Sequence, residues 1–80
     1  MSKEYYKKRL IDLRAQIARE KEKKKRDNIA IQSLIKNASS PSLKASYRKR
    51  KIDYAASHDR NIASLKRAIE NTKESLKRCK

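Results

Sequence analysis

Helix-breaking residues accumulate at one place in this 80-residue chain, the segment from Asn37 to Ser42. The segment holds the single proline of a sequence that has no glycine. Ser40-Pro41 is typical of a helix start, because the serine oxygen can accept a free backbone amide and proline has no amide to leave unpaired. Asn37 is the best candidate for the end of the preceding helix, since asparagine tolerates the left-handed conformation. Pro41 lies near the midpoint, so the chain is predicted to form two helices of similar length.

Apolar residues in both halves recur at steps of three and four, which is the spacing of a coiled-coil seam. Between Ile17 and Ile31 the same steps land on Glu20, Lys24 and Asp27, so the first helix has a polar gap in its seam. The seam residues are the predicted partner-binding residues: Tyr6, Leu10, Leu13, Ile17, Ile31, Leu34, Tyr47, Tyr54, Ile62, Leu65, Ile69 and Leu76.

The predicted fold is all-α, an antiparallel two-helix hairpin that forms a single domain over residues 1–80. Its helices are expected over residues 3–36 and 41–78, joined by a turn at residues 37–41. Folding about Pro41 sets Leu13 opposite Ile69, and it sets the polar gap opposite His58 with Lys24 nearby. Because apolar residues then meet at both ends of the hairpin, this arrangement is favoured over one long rod.

A two-helix hairpin buries little apolar surface for the chain entropy that it loses. The isolated chain is therefore predicted to be marginally stable, and to complete a bundle either as a homodimer or on another protein. A second stripe of mostly small apolar residues would supply the additional contact face: Ile52, Ala55, Ala56 and Ala63, with Ile11, Ala18 and Ile35.

The 24 lysines and arginines outnumber the 9 acidic residues and give a net charge of +15. Such a charge implies an acidic partner, which could be nucleic acid, an anionic membrane surface or an acidic protein. No helix-turn-helix, zinc-finger or RNA-recognition pattern is present, so nucleic-acid binding would be directed at the phosphate backbone. The predicted basic band consists of Lys23, Lys24, Lys25, Arg26, Arg48, Lys49, Arg50 and Lys51.

An enzyme is not expected, and neither catalytic residues, a cofactor site nor a metal site are predicted. The chain has one histidine, no glycine for a phosphate-binding loop, and one cysteine, Cys79. His58 is open to two interpretations, a pH switch or a polar seam residue that sets the register. Tyr47 and Tyr54 are also open to two interpretations. Their rings could stack on nucleic-acid bases, or they could be seam residues whose hydroxyls contact water. No apolar run is long enough for a membrane span. The expected location is the cytoplasm, with co-export alongside a partner as the alternative.

Two helices of near-equal length around a short central turn, beginning with Glu4-Tyr5-Tyr6, resemble the small helical partners of LXG-type toxins. These partners are themselves similar to the WXG family of type VII secretion. The Trp-x-Gly turn of that family is replaced here by Ser39-Ser40-Pro41, and its Tyr-x-x-x-Asp/Glu export signal is missing, because His58 follows Tyr54 at that spacing. The resemblance implies a cytoplasmic factor that packs along the N-terminal helices of a toxin and escorts it to export.

Two functions from different classes follow. The favoured one is a non-enzymatic adaptor, a targeting or chaperone-like factor whose seam co-bundles with an acidic helical partner. The alternative is a basic protein that binds the nucleic-acid backbone. The adaptor is favoured because the unfinished core requires a protein surface, while the basic residues lack dedicated stacking aromatics.

Overall fold

The computed structural model describes residues 2–79, and it contains two helices, α1 (Lys3–Asn37) and α2 (Pro41–Arg78). The helices pack side by side in opposite directions, so the predicted all-α antiparallel hairpin is confirmed. The hairpin measures 62 × 14 × 11 Å, which makes it a narrow rod only two helices wide.

Serine side chains cap the start of both helices. Ser2 Oγ accepts a hydrogen bond from the amide of Tyr5 at 3.4 Å, and Ser40 Oγ accepts one from the amide of Leu43 at 3.1 Å. Pro41 follows Ser40 at the first helical turn, where its missing amide costs nothing. The chemistry predicted for the start of α2 is therefore confirmed.

α1 ends at Asn37, the residue predicted to end it, but not in the predicted conformation. Asn37 is the last helical residue, but none of the described residues has a positive φ angle, so the predicted left-handed Asn37 is wrong. Ala38 instead leaves the helix in an extended conformation, with φ −67° and ψ 133°, and its amide donates to the Ile35 carbonyl at 3.3 Å. The next helix can start at once because Ser40 is extended as well, with φ −136° and ψ 152°.

The core is densest toward the chain ends, where Leu10 and Leu13 of α1 meet Ile69 of α2. Leu13 is only 2% exposed to solvent, and its side chain is the most deeply buried of the described residues. Ile31 is buried separately, nearer the turn. Partly buried apolar side chains surround the main cluster, and they are Ile17, Leu65, Ala68 and Leu76. These contacts agree with the predicted pairing of Leu13 with Ile69.

The spacing of the interface changes near the turn. On α1 the side chains turned toward α2 run through Asp27, Ile31 and Ile35, which are two successive steps of four. With the preceding step of three, from Lys24 to Asp27, these two steps of four make an 11-residue repeat, which unwinds the left-handed supercoil. Leu34, which strict heptad spacing predicted in the seam, is exposed as a result, and half-buried Ile35 takes its place.

α2 makes the same change of spacing at the same level of the rod. Its inward side chains run through Tyr47, Lys51 and Ala55, again in steps of four. Tyr54, a predicted seam residue, is exposed, and Ala55 is half-buried in its place. Because both helices shift their spacing together, their inward stripes stay matched up to the turn.

Candidate functional site

A layer of charged and polar side chains separates the main core from Ile31, at the place where the sequence shows the polar gap. Three members come from α1 and three from α2, and they are Glu20, Lys24, Asp27, His58, Asp59 and Asn61. The prediction that the gap faces His58 is confirmed. The carboxylates of this layer were not predicted as site residues. The sequence did carry a signal for two of them, because Glu20 and Asp27 occupy positions of the seam that are otherwise apolar.

His58 lies between two carboxylates of α1. Its Nδ1 is 2.6 Å from Glu20 Oε1, and its Nε2 is 2.6 Å from Asp27 Oδ2. Glu20 and Asp27 are seven residues apart, which places them two turns apart on the same side of the helix. Two acceptors on one ring favour the imidazolium, in which both ring nitrogens donate.

The electrostatics of the layer follow from these contacts. The hydrogen bond to Glu20, and then the one to Asp27, raise the pKa of His58 above its ordinary 6.5. The hydrogen bond from His58, helped by one from Asn61, lowers the pKa of Glu20 below its ordinary 4.5. The Glu20 side chain is only 13% exposed, whereas that of Asp27 is 48% exposed, so water screens the second contact more strongly.

Two further contacts join the helices at this level. Lys24 Nζ binds Asp59 Oδ1 at 2.7 Å, and Asn61 Nδ2 donates to Glu20 Oε1 at 3.0 Å. The layer thus consists of an ion pair beside a network centred on His58. Lys24 was predicted near His58, and both line a cavity of about 20 Å³ between the helices, a volume that could hold one water molecule.

The predicted basic band is mostly exposed but does not form one surface. Lys24 is held by Asp59, and Lys51 is half-buried against the same small cavity. Residues 48–51 are consecutive on α2, and successive helical residues point about 100° apart, so this run encircles the helix. The structure therefore brings Lys24 and Lys51 together and spreads the remaining members over several sides.

Of the two tyrosines of α2, Tyr47 does not offer an open ring beside the basic run. The guanidinium of Arg50 lies 5.7 Å from the centre of the Tyr47 ring, a cation–π contact within the helix. Tyr54 is exposed and borders the small cavity beside His58. Tyr47 is half-buried, in agreement with its interpretation as an amphipathic seam residue.

A groove lies on one side of the rod near its middle, and no sequence pattern marks it as a unit. It has a volume of about 390 Å³ and is lined by Lys21, Lys24, Lys25, Asn28, Asp59, Ile62 and Lys66. Asp59 is engaged by Lys24, so the ammonium groups of Lys21, Lys25 and Lys66 dominate its charge. The signal in the sequence was weak, because Lys66 is far from Lys21 in the chain and joins it only through the hairpin register.

In the part of the chain that the structure describes, neither helix has the length and apolarity that crossing a membrane requires. The fold and the site together define a basic helical hairpin with an ion-paired layer across its middle. Comparisons with protein-family models, with curated proteins and with solved structures give no match to this chain.

Proposed function

We propose that the hairpin is a non-enzymatic protein-binding module that co-bundles with an acidic helical partner. One observation carries the proposal: large apolar side chains remain exposed among basic residues after the hairpin has formed. Ile11 is 66% exposed and Ile52 is 69% exposed, and neither belongs to the interface between the helices. Burial of such side chains against a protein is favourable, whereas a nucleic acid offers little apolar surface in return.

The charge of the chain supports an acidic partner. In residues 2–79 only a few basic side chains lie within 4.0 Å of a carboxylate, and they are Lys7, Lys24, Lys73 and Arg78, besides His58. With a net charge of +15, a second copy of the chain would meet strong repulsion. An acidic partner would be attracted instead, and complementary charge would accelerate its association.

The resemblance to the helical partners of LXG-type toxins adds an exported toxin as one form that the partner could take. This extension is independent of the surface features and has its own test. A toxin-like reading frame next to the gene would support it, and a toxin from that frame should then co-purify with the hairpin.

Backbone-directed binding of nucleic acid is the second candidate. The lysines around the groove favour it, because Lys21, Lys25 and Lys66 could neutralise neighbouring phosphates. The covered ring of Tyr47 speaks against a single-strand binder, which ordinarily stacks bases on open aromatic rings.

Salt separates the two candidates. The tagged hairpin is used to capture its ligands from the cells that produce it, once at ~0.05 M and once at ~0.3 M salt. Each neutralised phosphate contributes a slope of about −0.9 to log K against log salt, so nucleic acid should be lost at the higher concentration. An acidic helical protein should persist, because its apolar contacts are insensitive to salt. Capture of nucleic acid alone, with loss at high salt, would overturn the proposed function.

A further inference from the structure

We infer that the partner docks as one acidic amphipathic helix along the grooved side of the rod, as the third helix of a bundle. This inference rests on the proposed function and adds the surface and the form of the ligand. The seam residues first predicted to bind a partner are occupied, since Leu10, Leu13 and Ile69 pack against each other within the hairpin. A partner that leaves the hairpin intact must therefore use an outer side.

The grooved side is defined on α1 by two stripes of residues at seven-residue spacing. Such spacing returns to nearly the same direction around a helix. Lys25 lines the groove, and its stripe continues through Ala18 to Ile11. Lys21 also lines the groove, with Arg14 one heptad earlier on a neighbouring stripe. α1 thus offers a mixed row of Ile11, Ala18 and Lys25 beside a basic row on this side, and the basic row lies nearer α2.

α2 presents a similar arrangement toward the same side. Asp59 and Lys66 line the groove at a spacing of seven, and Ile52 lies one heptad before Asp59. Ala56 and Ala63 form the adjacent row, four residues after Ile52 and four residues after Asp59 respectively. Alanines permit close approach of a third backbone, and this row lies on the far side of Asp59 and Lys66 from α1.

The opposite side of the rod lacks this apolar row. The hollows there are lined on α2 by Asn61, Ser64 and Leu65, and on α1 by Gln16, Arg19 and Lys23. Leu65 belongs to the seam packing. A helix laid on that side would find Lys23, Arg26 and Ala30 around a further hollow but no exposed isoleucine. The grooved side is therefore the one that sets Ile11 and Ile52 beside lysines that no carboxylate of the described residues pairs.

The shape and chemistry of the groove specify the occupant. Its walls are two antiparallel helices, so the element that buries the most surface between them is a third helix aligned with the rod. That helix should carry small or branched apolar residues toward Ile11, Ala18 and Ala63. It should carry glutamates or aspartates on the same face, toward Lys21 and Lys25 on one helix and Lys66 on the other.

The test uses a synthetic 21-residue helical peptide with leucine, alanine and glutamate together on one face, labelled for fluorescence anisotropy. The double variant Lys21→Glu/Lys25→Glu reverses charge inside the groove. The matched control, Lys23→Glu/Arg26→Glu, makes the same charge change in the same turns of α1 but outside the groove. At ~0.15 M salt the groove variant should bind the peptide at least tenfold more weakly than the unchanged hairpin. The control variant should bind it at most about threefold more weakly, because it loses only long-range attraction.

A second matched pair tests the apolar part of the surface. Ile11→Ser removes an isoleucine from the grooved side, and we expect binding to weaken about fivefold. Ile29→Ser removes an isoleucine of similar exposure, 61% against 66% for Ile11. Ile29 faces away from α2, because it lies midway between the inward-facing residues Asp27 and Ile31. The Ile29 variant should bind like the unchanged hairpin. Circular dichroism of each variant establishes that the helices remain formed.

The possible outcomes distinguish a failure of the proposed docking surface from a failure of the proposed function. Binding that weakens equally in the groove variants and in their controls would overturn the grooved side as the docking surface and leave an acidic helical partner standing. If a duplex DNA of ~20 base pairs or unstructured polyglutamate binds as tightly as the peptide at ~0.3 M salt, the proposed function itself fails.

Discussion

The His58 network predicts an unusual dependence of stability on pH. The pKa of His58 is raised in the folded hairpin, so its contribution is fully present below 6.5, the ordinary pKa, and is lost as pH rises through the folded value. The pKa of Glu20 is lowered, so its contribution is present above 4.5 and is lost as pH falls through its own folded value. We therefore expect maximal stability between these two values, with a decline already under way near neutral pH.

The size of this decline is bounded by proton linkage. One proton bound by the folded state and absent from the unfolded state changes stability by at most ~1.4 kcal/mol per pH unit. In a domain of 60–100 residues this corresponds to roughly 6–11 °C in melting temperature per pH unit. Water at the half-exposed Asp27 side chain reduces the effect below this limit. His58 is the single histidine of the chain, so no other side chain of ordinary pKa titrates between pH 6 and 8.

Thermal unfolding followed by circular dichroism at half-unit steps from pH 5.5 to 8.5 measures this slope. The variant His58→Gln removes the titrating ring, and its melting temperature should be nearly constant above pH 6.5. Asp59→Asn serves as the control, because it breaks the ion pair with Lys24 and leaves both carboxylates facing His58 in place. That variant should melt lower at every pH and keep the downward slope.

Charged groups of both signs surround the His58 ring. Glu20 and Asp27 favour the protonated form. Four basic side chains line the hollows beside the ring and oppose it, and they are Lys23, Lys24, Arg26 and Lys51. NMR titration of the ring protons measures the balance directly. A pKa at or below 6.5 would refute the reasoning, as would a melting temperature that is as flat above pH 6.5 in the unchanged hairpin as in His58→Gln.

Two further predictions concern the fold. Leu13→Ala should cost about 2–5 kcal/mol, because the side chain is almost fully buried, whereas Ile11→Ala should change stability by less than ~0.5 kcal/mol. Urea unfolding compares the two variants, and equal losses would contradict the assignment of the core. Ser40→Ala removes the oxygen that caps α2 and should cost ~1 kcal/mol, while exposed Ser39→Ala should be nearly neutral. If Ser39→Ala proved the more damaging in thermal melts, the cap assignment would be wrong.

Much of the fold could be predicted because its determinants are local or periodic. Ser40 and Pro41 specify the start of α2 by their own chemistry, whatever surrounds them. The spacing of Leu10 and Leu13 specifies a stripe, and the position of the turn then determines which residue of α2 faces it. The polar gap and its position opposite His58 follow from the same register.

The change of spacing near the turn could not be predicted from either helix alone. Leu34 and Ile35 are adjacent and both apolar, so the sequence permits either one to face inward. The same holds for Tyr54 and Ala55. The choice depends on both helices changing their spacing at one level, which keeps the inward stripes matched. That condition is a property of the packed pair, and no local preference reveals it.

The site was only partly predictable for a similar reason. A polar gap opposite a histidine could be foreseen, but ordinary heptad analysis treats Glu20 and Asp27 as interruptions of a seam. Their role becomes visible when the two carboxylates are found on either side of one imidazole. The groove has the same origin, because Lys21 and Lys66 become neighbours only after the chain has folded back.

The narrow shape of the hairpin affects how its assembly state will be measured. Its radius of gyration is 18.2 Å, whereas a compact chain of this length would have a value of about 12 Å. A radius of gyration of 18 Å is typical of a compact protein of roughly 260 residues. A monomeric hairpin should therefore elute from a gel-filtration column ahead of a compact protein of its own mass. A helix that lies along the side of the rod adds mass while the 62 Å length stays the same. Light scattering should therefore detect partner binding that barely moves the elution peak.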